Sequence, residues 1–127
     1  MAINFNENSS WDLKPITPRE VDHDVASIML EDEKICAAFK TIRDQLIFTT
    51  KRIIAIDVQG ITGKRKSFSS MPYSKVQFFS VQTPYAIEII KDSELFLTFS
   101  NGFTAKFEFT GDVNIFGIAK LISSYVL

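Results

Sequence analysis

Hydrophobic and polar positions alternate in short runs along the middle of the chain, from residue 34 to residue 110. The runs are rich in β-branched and aromatic residues and are separated by turn residues, which is typical of a meander of β-strands. We predict seven strands, at residues 35–42, 46–50, 52–58, 66–70, 76–83, 95–99 and 105–109. Residues 85–92 fit either an irregular strand or a loop.

The turn between the last two strands is the clearest local signal. Asn101 and Gly102 are the residue pair favoured where a two-residue hairpin turn needs two positive φ angles. Apolar residues alternate with polar ones on both sides of this turn. We therefore expect Phe107 to lie in the core, and Lys106 and Glu108 to point to solvent.

Helical spacing of apolar residues is found outside the strand region. Thr17-Pro18-Arg19-Glu20 has the form of a capping box with proline at the first helical position, and it predicts a helix over residues 17–30. A second amphipathic helix is predicted over residues 112–127, with residues 110–112 as its cap. Residues 1–16 are polar and aperiodic, and we expect them to form a loose arm.

Length and composition indicate one globular domain that spans the whole chain. The protein has 127 residues, of which 46% are hydrophobic and 23% are charged. The net charge of -1 provides no overall positive field, so we expect no nucleic-acid binding. We also expect no signal peptide and no membrane span, hence a cytoplasmic protein, with the single Cys36 buried as a small apolar side chain.

Candidate catalytic residues are scattered along the sequence. His23 is the only histidine, and its acidic neighbours point to different faces of the predicted helix, so they form no metal site or triad with it. Glu31 and Glu33 lie in what we interpret as a hydrophilic turn. Without positioned acid-base groups we expect no enzymatic activity, no metal and no cofactor.

The run Lys64-Arg65-Lys66 is the densest cluster of positive charge. It could bind a phosphorylated headgroup, or it could simply be the solvated tip of a hairpin. The preceding Gly60-Ile-Thr-Gly63 is too short for a phosphate-binding loop, which needs four residues between its glycines. We favour the solvated tip and expect no specific lipid binding.

The second half of the chain is poor in charge. Only nine of the 61 residues from Ser67 to Leu127 are charged, and the strand at residues 76–83 is apolar on both faces. A bulge or cover from the N-terminal helix could explain this pattern. We prefer an outer apolar surface that another subunit buries, and the interface residues predicted for it are Phe79, Val81, Phe96 and Phe103.

Several motifs occur in the order found in a known family. They are Phe39-Lys-Thr-Ile-Arg-Asp44, Phe48-Thr-Thr-Lys-Arg-Ile53, Ile56-Asp-Val-Gln-Gly-Ile-Thr-Gly-Lys64, Met71-Pro-Tyr73, Phe79-Ser-Val81 and the final Tyr125-Val-Leu127. With these motifs the chain resembles the bacterial pleckstrin-homology (PH)-like family over most of residues 20–127. It departs from the family pattern around residues 84–94.

The resemblance implies a mainly β fold. About seven antiparallel strands would form a PH-like barrel of two orthogonal sheets over residues 34–110, capped by the C-terminal α-helix, with the N-terminal helix as an addition. It also implies a ring-shaped homo-oligomer larger than a dimer. We therefore expect a non-catalytic assembly or protein-interaction module with a protein partner still to be identified, and keep binding of an anionic lipid or phospho-ligand at residues 64–66 as the alternative.

Overall fold

A curled β-sheet with one α-helix on its inner side forms the body of the protein. The structure is a computed structural model that describes residues 3–4, 9–84 and 92–127. Within these residues the strands are β1 Ile3–Asn4, β2 Ser9–Pro15, β3 Ile35–Lys40, β4 Gln45–Thr49, β5 Arg52–Gln59, β6 Arg65–Pro72, β7 Val76–Gln82, β8 Asp92–Phe99 and β9 Thr104–Thr110. The α-helix, α1, is Ile115–Val126, and Pro18–Glu20, His23–Ser27 and Tyr73–Lys75 are short 3-10 helices.

The strands form one continuous path in the order β6-β5-β4-β3-β2-β9-β8-β7, and β1 pairs with β2. All pairings are antiparallel except the parallel pair of β2 and β9. Strands β3 to β9 correspond to the seven predicted strands, so the mainly β, PH-like prediction is confirmed. The two predicted sheets are joined through β2 into a single one.

Strand β2 corrects the expectation of a loose arm for residues 9–15, while residues 1–2 and 5–8 of that arm lie outside the described residues. It pairs with β9 at one end and with β3 at the other, and its register shifts between Ser10 and Leu13. Asp12 adopts a positive φ of 61° in this shift, a conformation that Asp tolerates better than most residues. Leu13 is completely buried and anchors the strand.

The main core fills the space between the inner face of the sheet and α1. Ile115, Ile118 and Ile122 are buried on one side of the helix and belong to this core. Against them lie residues from both ends of the sheet, including Met71 of β6 and Leu97 of β8. One cluster can contain both ends only because the sheet curls around the helix.

A second, smaller core covers the outer face of β3 to β5. Ile47, Ile54 and Ile56 are completely buried there, and Val21 and Val25 pack over them. The strands β4 and β5 are therefore apolar on both faces. The segment between β2 and β3 supplies the cover that makes this possible.

The predicted helix over residues 17–30 is not present, and two short 3-10 helices take its place. The side-chain amide of Gln45 explains the break, because it accepts from the Asp22 N–H and donates to the Glu20 carbonyl, both at 2.8 Å. The Asp22 carboxylate then accepts from the Asp24 N–H. Thr17 bonds to the side chain of Glu20 and caps no backbone N–H, so the capping box does not form.

Two further boundaries differ slightly from the sequence prediction. The β8–β9 turn has a positive φ only at Gly102, while Asn101 accepts a hydrogen bond from the Phe103 N–H. It is thus a longer turn with one left-handed residue. Helix α1 is capped by Asn114, whose side chain accepts from the Gly117 N–H at 3.0 Å, and residues 110–112 do not cap it.

Candidate functional site

Strand β7 contains a bulge that decides which side chains face outward. Its register with β8 shifts between Val76 and Phe78. Val76 is buried and Phe78 is 54% exposed, while Phe79 and Val81 are half-buried and pack against the main core. The assignment of Phe79 and Val81 to the outer face is therefore corrected, because an extra residue in one strand reverses the faces of all residues that follow.

An aromatic pair on the outer face consists of the exposed Phe78 on β7 and the half-buried Phe96 on β8. Their ring centroids lie 6.3 Å apart in an edge-to-face arrangement. Phe103, predicted for the same surface, lies at the β8–β9 turn with its ring 5.8 Å from Phe99, at the border of the main core. The structure thus brings Phe96 together with Phe78, which is not among the interface residues predicted from the sequence.

Charged residues of β8 and β9 share the outer face with these rings. Lys106 lies 3.5 Å from Glu94 and 3.4 Å from Glu108. The charge of Glu94, followed by the contacts with Glu108, raises the pKa of Lys106 above its usual value. An apolar centre with a charged border is the arrangement found in protein–protein interfaces.

The basic run at residues 64–66 is divided between two environments. Lys64 and Arg65 are exposed, whereas the Lys66 ammonium lies 2.8 Å from Asp22 and 3.1 Å from Asp24. Hydrogen bonds to these two carboxylates raise the pKa of Lys66. Its charge is therefore already matched by the segment that covers the outer face of β5.

Hydrogen bonds also connect the loops at this end of the sheet. The Arg43 guanidinium donates to the Gly60 carbonyl and so joins the β3–β4 and β5–β6 turns. Asp44 and Asp57 are both 1% exposed, and Asp44 accepts from the Val58 N–H at 2.9 Å. Asp44 thus links the β3–β4 turn to β5.

Glu33 corrects the interpretation of residues 31–33 as a hydrophilic turn, because its side chain is completely buried. The Arg52 guanidinium donates to both of its oxygens, at 2.8 and 2.9 Å, and the Thr49 hydroxyl and the Leu30 N–H also donate to it. Burial alone would raise the pKa of Glu33, but the hydrogen bonds from Arg52, Thr49 and Leu30 outweigh it and lower the pKa to about 2. The ion pair of Glu33 and Arg52 thus links the segment between β2 and β3 to the β4–β5 hairpin.

The other candidate chemical groups are isolated. Cys36 is exposed, which corrects its expected burial, and partial desolvation raises the pKa of its thiol. His23 is also exposed. In the described part of the chain no three His, Cys, Asp or Glu side chains converge on a common metal position. Among the same residues, no helix has both the length and the apolar character that crossing a bilayer requires.

Comparison with known proteins agrees with this architecture. The family model described as Bacterial PH domain matches residues 4–126. The chain is 36% identical over 104 residues to the uncharacterised protein YjqA of Bacillus subtilis (strain 168), covering 82% of this chain and 83% of that protein.

Two solved structures resemble it in both sequence and fold. One is a DUF1696 family protein with a pleckstrin-homology domain from Shewanella loihica PV-4, with 30% identity, a TM-score of 0.72 and coverage of 93% of this chain and 100% of that one. The other is a pleckstrin-homology domain from Shewanella amazonensis SB2B, with 33% identity, a TM-score of 0.63 and coverage of 88% and 90%. The chain therefore belongs to the bacterial PH domain family.

Proposed function

We propose that this protein is a non-catalytic assembly and protein-interaction module that forms a closed homo-oligomer larger than a dimer. The observation that supports the proposal is the exposed ring of Phe78, which packs against the half-buried ring of Phe96 at the end of the sheet. Large aromatic side chains are the residues that most often dominate the binding energy of an interface. The cytoplasmic location and the lack of enzymatic activity remain predictions.

The position of the two rings supports a contact between copies. They lie on β7 and β8, and β7 pairs only with β8 among the described residues, so one of its edges is open. An exposed apolar face beside an open strand edge favours association with another chain. In our proposal the neighbouring subunit covers both at once.

The ring form follows from the kind of contact we propose. A contact between identical patches would give a dimer, whereas a contact between this face and a different surface of the next copy continues until the ring closes. The family resemblance implies the second arrangement. The interface contains Phe78 and Phe96, with Lys106, Glu94 and Glu108 at its border.

Binding of an anionic lipid or phospho-ligand at residues 64–66 is the weaker alternative. Lys66 already has two carboxylate partners, so only Lys64 and Arg65 offer exposed charge. The two functions respond differently to salt. Assembly through aromatic side chains persists at high ionic strength, whereas headgroup binding weakens.

Light scattering after size exclusion tests the assembly. The wild-type protein should have a mass that is a multiple, above two, of the 14.4 kDa chain. The Phe78→Glu variant should run as a folded monomer, because assembly would bury an unpaired charge. The matched control is Phe116→Glu, since Phe116 is 67% exposed on α1, away from the proposed interface.

Three results would speak against the proposal. A wild-type monomer at micromolar concentration would remove it entirely. An oligomer that survives Phe78→Glu and Phe96→Glu would place the interface elsewhere, and dissociation by Phe116→Glu alone would place it on α1. Circular dichroism of each variant separates dissociation from unfolding.

A further inference from the structure

A groove of about 530 Å³ lies between the second half of β6 and the β8–β9 turn. Its lining includes the buried side chains of Met71 and Phe99, the half-buried Phe103 and the exposed Lys75. The hydroxyl of Ser69 also borders it. The groove thus combines an apolar floor, large enough for one bulky side chain, with polar groups and a positive charge at its rim.

Strand β6 forms one wall of this groove and has an open edge. Within the described part of the chain it pairs only with β5, through all eight residues from Arg65 to Pro72. In an antiparallel sheet, every second residue of an edge strand points its N–H and C=O away from its neighbour. The edge can therefore pair with one more extended strand. Because side chains alternate along a strand, the first and third of three successive residues in the added strand can face the same side of the sheet as Met71.

Positive side chains lie at both ends of this edge, while Lys66 is paired with Asp22 and Asp24. Lys64 and Arg65 are exposed where β6 begins, and Lys75 is exposed just after it ends. The strand itself, Arg65-Lys-Ser-Phe-Ser-Ser-Met-Pro72, contains no carboxylate. The strand between the positive groups at its two ends is roughly 23 Å long, the length of about eight extended residues.

We propose that the edge of β6 and the adjoining groove bind an extended acidic peptide segment of a protein partner. The peptide adds to the sheet as a strand next to β6 and places one large apolar side chain between Met71 and Phe103. Its carboxylates lie near Lys64 and Arg65 at one end and near Lys75 at the other. This site goes beyond the proposed assembly, since it uses the edge of β6 and the groove rather than Phe78 and Phe96 and does not require a second copy.

Peptide titration of the intact protein tests this site. The probe is a fluorescein-labelled peptide, EETVFVTEE, measured by fluorescence anisotropy and by amide chemical shifts of the 15N-labelled protein. We expect saturable binding with shifts concentrated at residues 65–72. The peptide KKTVFVTKK should bind much more weakly because its charges are reversed, and EETPFPTEE should fail because proline removes the main-chain donors.

Protein variants locate the charge contacts. Lys75→Glu should weaken binding of the acidic peptide about tenfold or more, and Lys64→Glu with Arg65→Glu should do the same. Lys120→Glu on α1 is the matched control and should leave binding unchanged, as Lys120 is exposed and does not line the groove. Both variants, Lys75→Glu and the double change of Lys64 and Arg65, alter exposed side chains. At least one of the two proteins should therefore fold.

Several outcomes would overturn the proposal. They are the absence of binding at millimolar peptide, equal binding of the basic peptide, binding that is insensitive to proline, and shifts outside β6 and the groove. The light-scattering result is independent of all of them, because it reports on Phe78 and Phe96. Failure of assembly and failure of peptide binding are therefore distinguishable.

Discussion

Replacing Glu33 with Gln should destabilise the fold by about 3 kcal/mol, because it removes the negative charge from a completely buried position. Two of the groups that face this carboxylate are the Arg52 guanidinium, only 18% exposed, and the Thr49 hydroxyl. Glutamine keeps the shape but turns one acceptor oxygen into an N–H₂ donor that points at other donors. Arg52 then keeps its charge without a counter-ion.

Two independent arguments give this magnitude. Breaking a buried ion pair by removing one partner costs about 3–5 kcal/mol. The pKa of Glu33 is lowered from 4.5 to about 2, and a difference of that size corresponds to roughly 3 kcal/mol of stability in the ionised form. A loss of about 3 kcal/mol is smaller than the ~5–15 kcal/mol by which a typical domain is stable. The Glu33→Gln variant should therefore still fold.

The effect should depend on pH in a defined direction. The folded-state pKa lies below the unfolded one, so the ionised carboxylate stabilises the fold above about pH 4.5 and loses this contribution as the pH falls towards 2. Glutamine resembles the protonated acid. The difference between wild type and Glu33→Gln should therefore be full at pH 7 and shrink steadily below pH 4.5.

Urea unfolding measured at pH 7, 5 and 3 checks both the size and the sign. Glu31→Gln is the matched control, because Glu31 is exposed two residues away and its substitution should change the free energy of unfolding by less than about 0.5 kcal/mol. Measurement at several protein concentrations separates this effect from assembly. A Glu33→Gln loss below 1 kcal/mol, or one that grows at low pH, would refute the reasoning.

Three further predictions concern the core, the helix cap and the basic turn. Phe107→Ala should destabilise by about 3–5 kcal/mol in urea unfolding, since Phe107 is buried in the main core, and a loss below about 1 kcal/mol would contradict its position. Asn114→Ala should cost about 1 kcal/mol by removing the cap of α1, which the same measurement tests against Asn114→Ser as a control. Vesicles containing anionic lipids should not co-sediment the protein at physiological salt; strong sedimentation that is lost when Lys64, Arg65 and Lys66 are all changed to Glu would instead favour the ligand-binding alternative.

The strands could be predicted from the sequence because their alternation and their turns agree. Around Gly102, for example, apolar residues alternate on both sides of a position that needs a positive φ, and β8 and β9 lie as expected. The register follows from the same alternation, which places Phe107 inward. In β8 and β9 the local sequence pattern and the tertiary packing therefore favour the same structure.

The N-terminal region could not be predicted because tertiary contacts override its local preferences. Pro18 and Glu20 favour a helix start, but Gln45 of β4 bonds to the backbone at Glu20 and Asp22 and ends the turn. The burial of Glu33 has a similar origin, since its partner Arg52 is 19 residues away along the chain. Neither Gln45 nor Arg52 is marked by spacing or motif as a partner of this segment.

The faces of β7 show why an apolar pattern does not by itself locate an interface. Strands β5 and β7 are both apolar on two faces, but the outer Ile54 and Ile56 of β5 are covered by residues 16–29, whereas β7 has a bulge. The bulge turns Phe79 and Val81 inward and leaves Phe78 as the exposed ring. A shift of one residue exchanges the two faces of a strand. The low charge of the sequence could therefore indicate that apolar side chains are in excess, but it could not identify which side chain of β7 points outward. The comparison of Phe78→Glu with Phe79→Glu therefore separates the two assignments: the first should release folded monomers, and the second should destabilise the subunit itself.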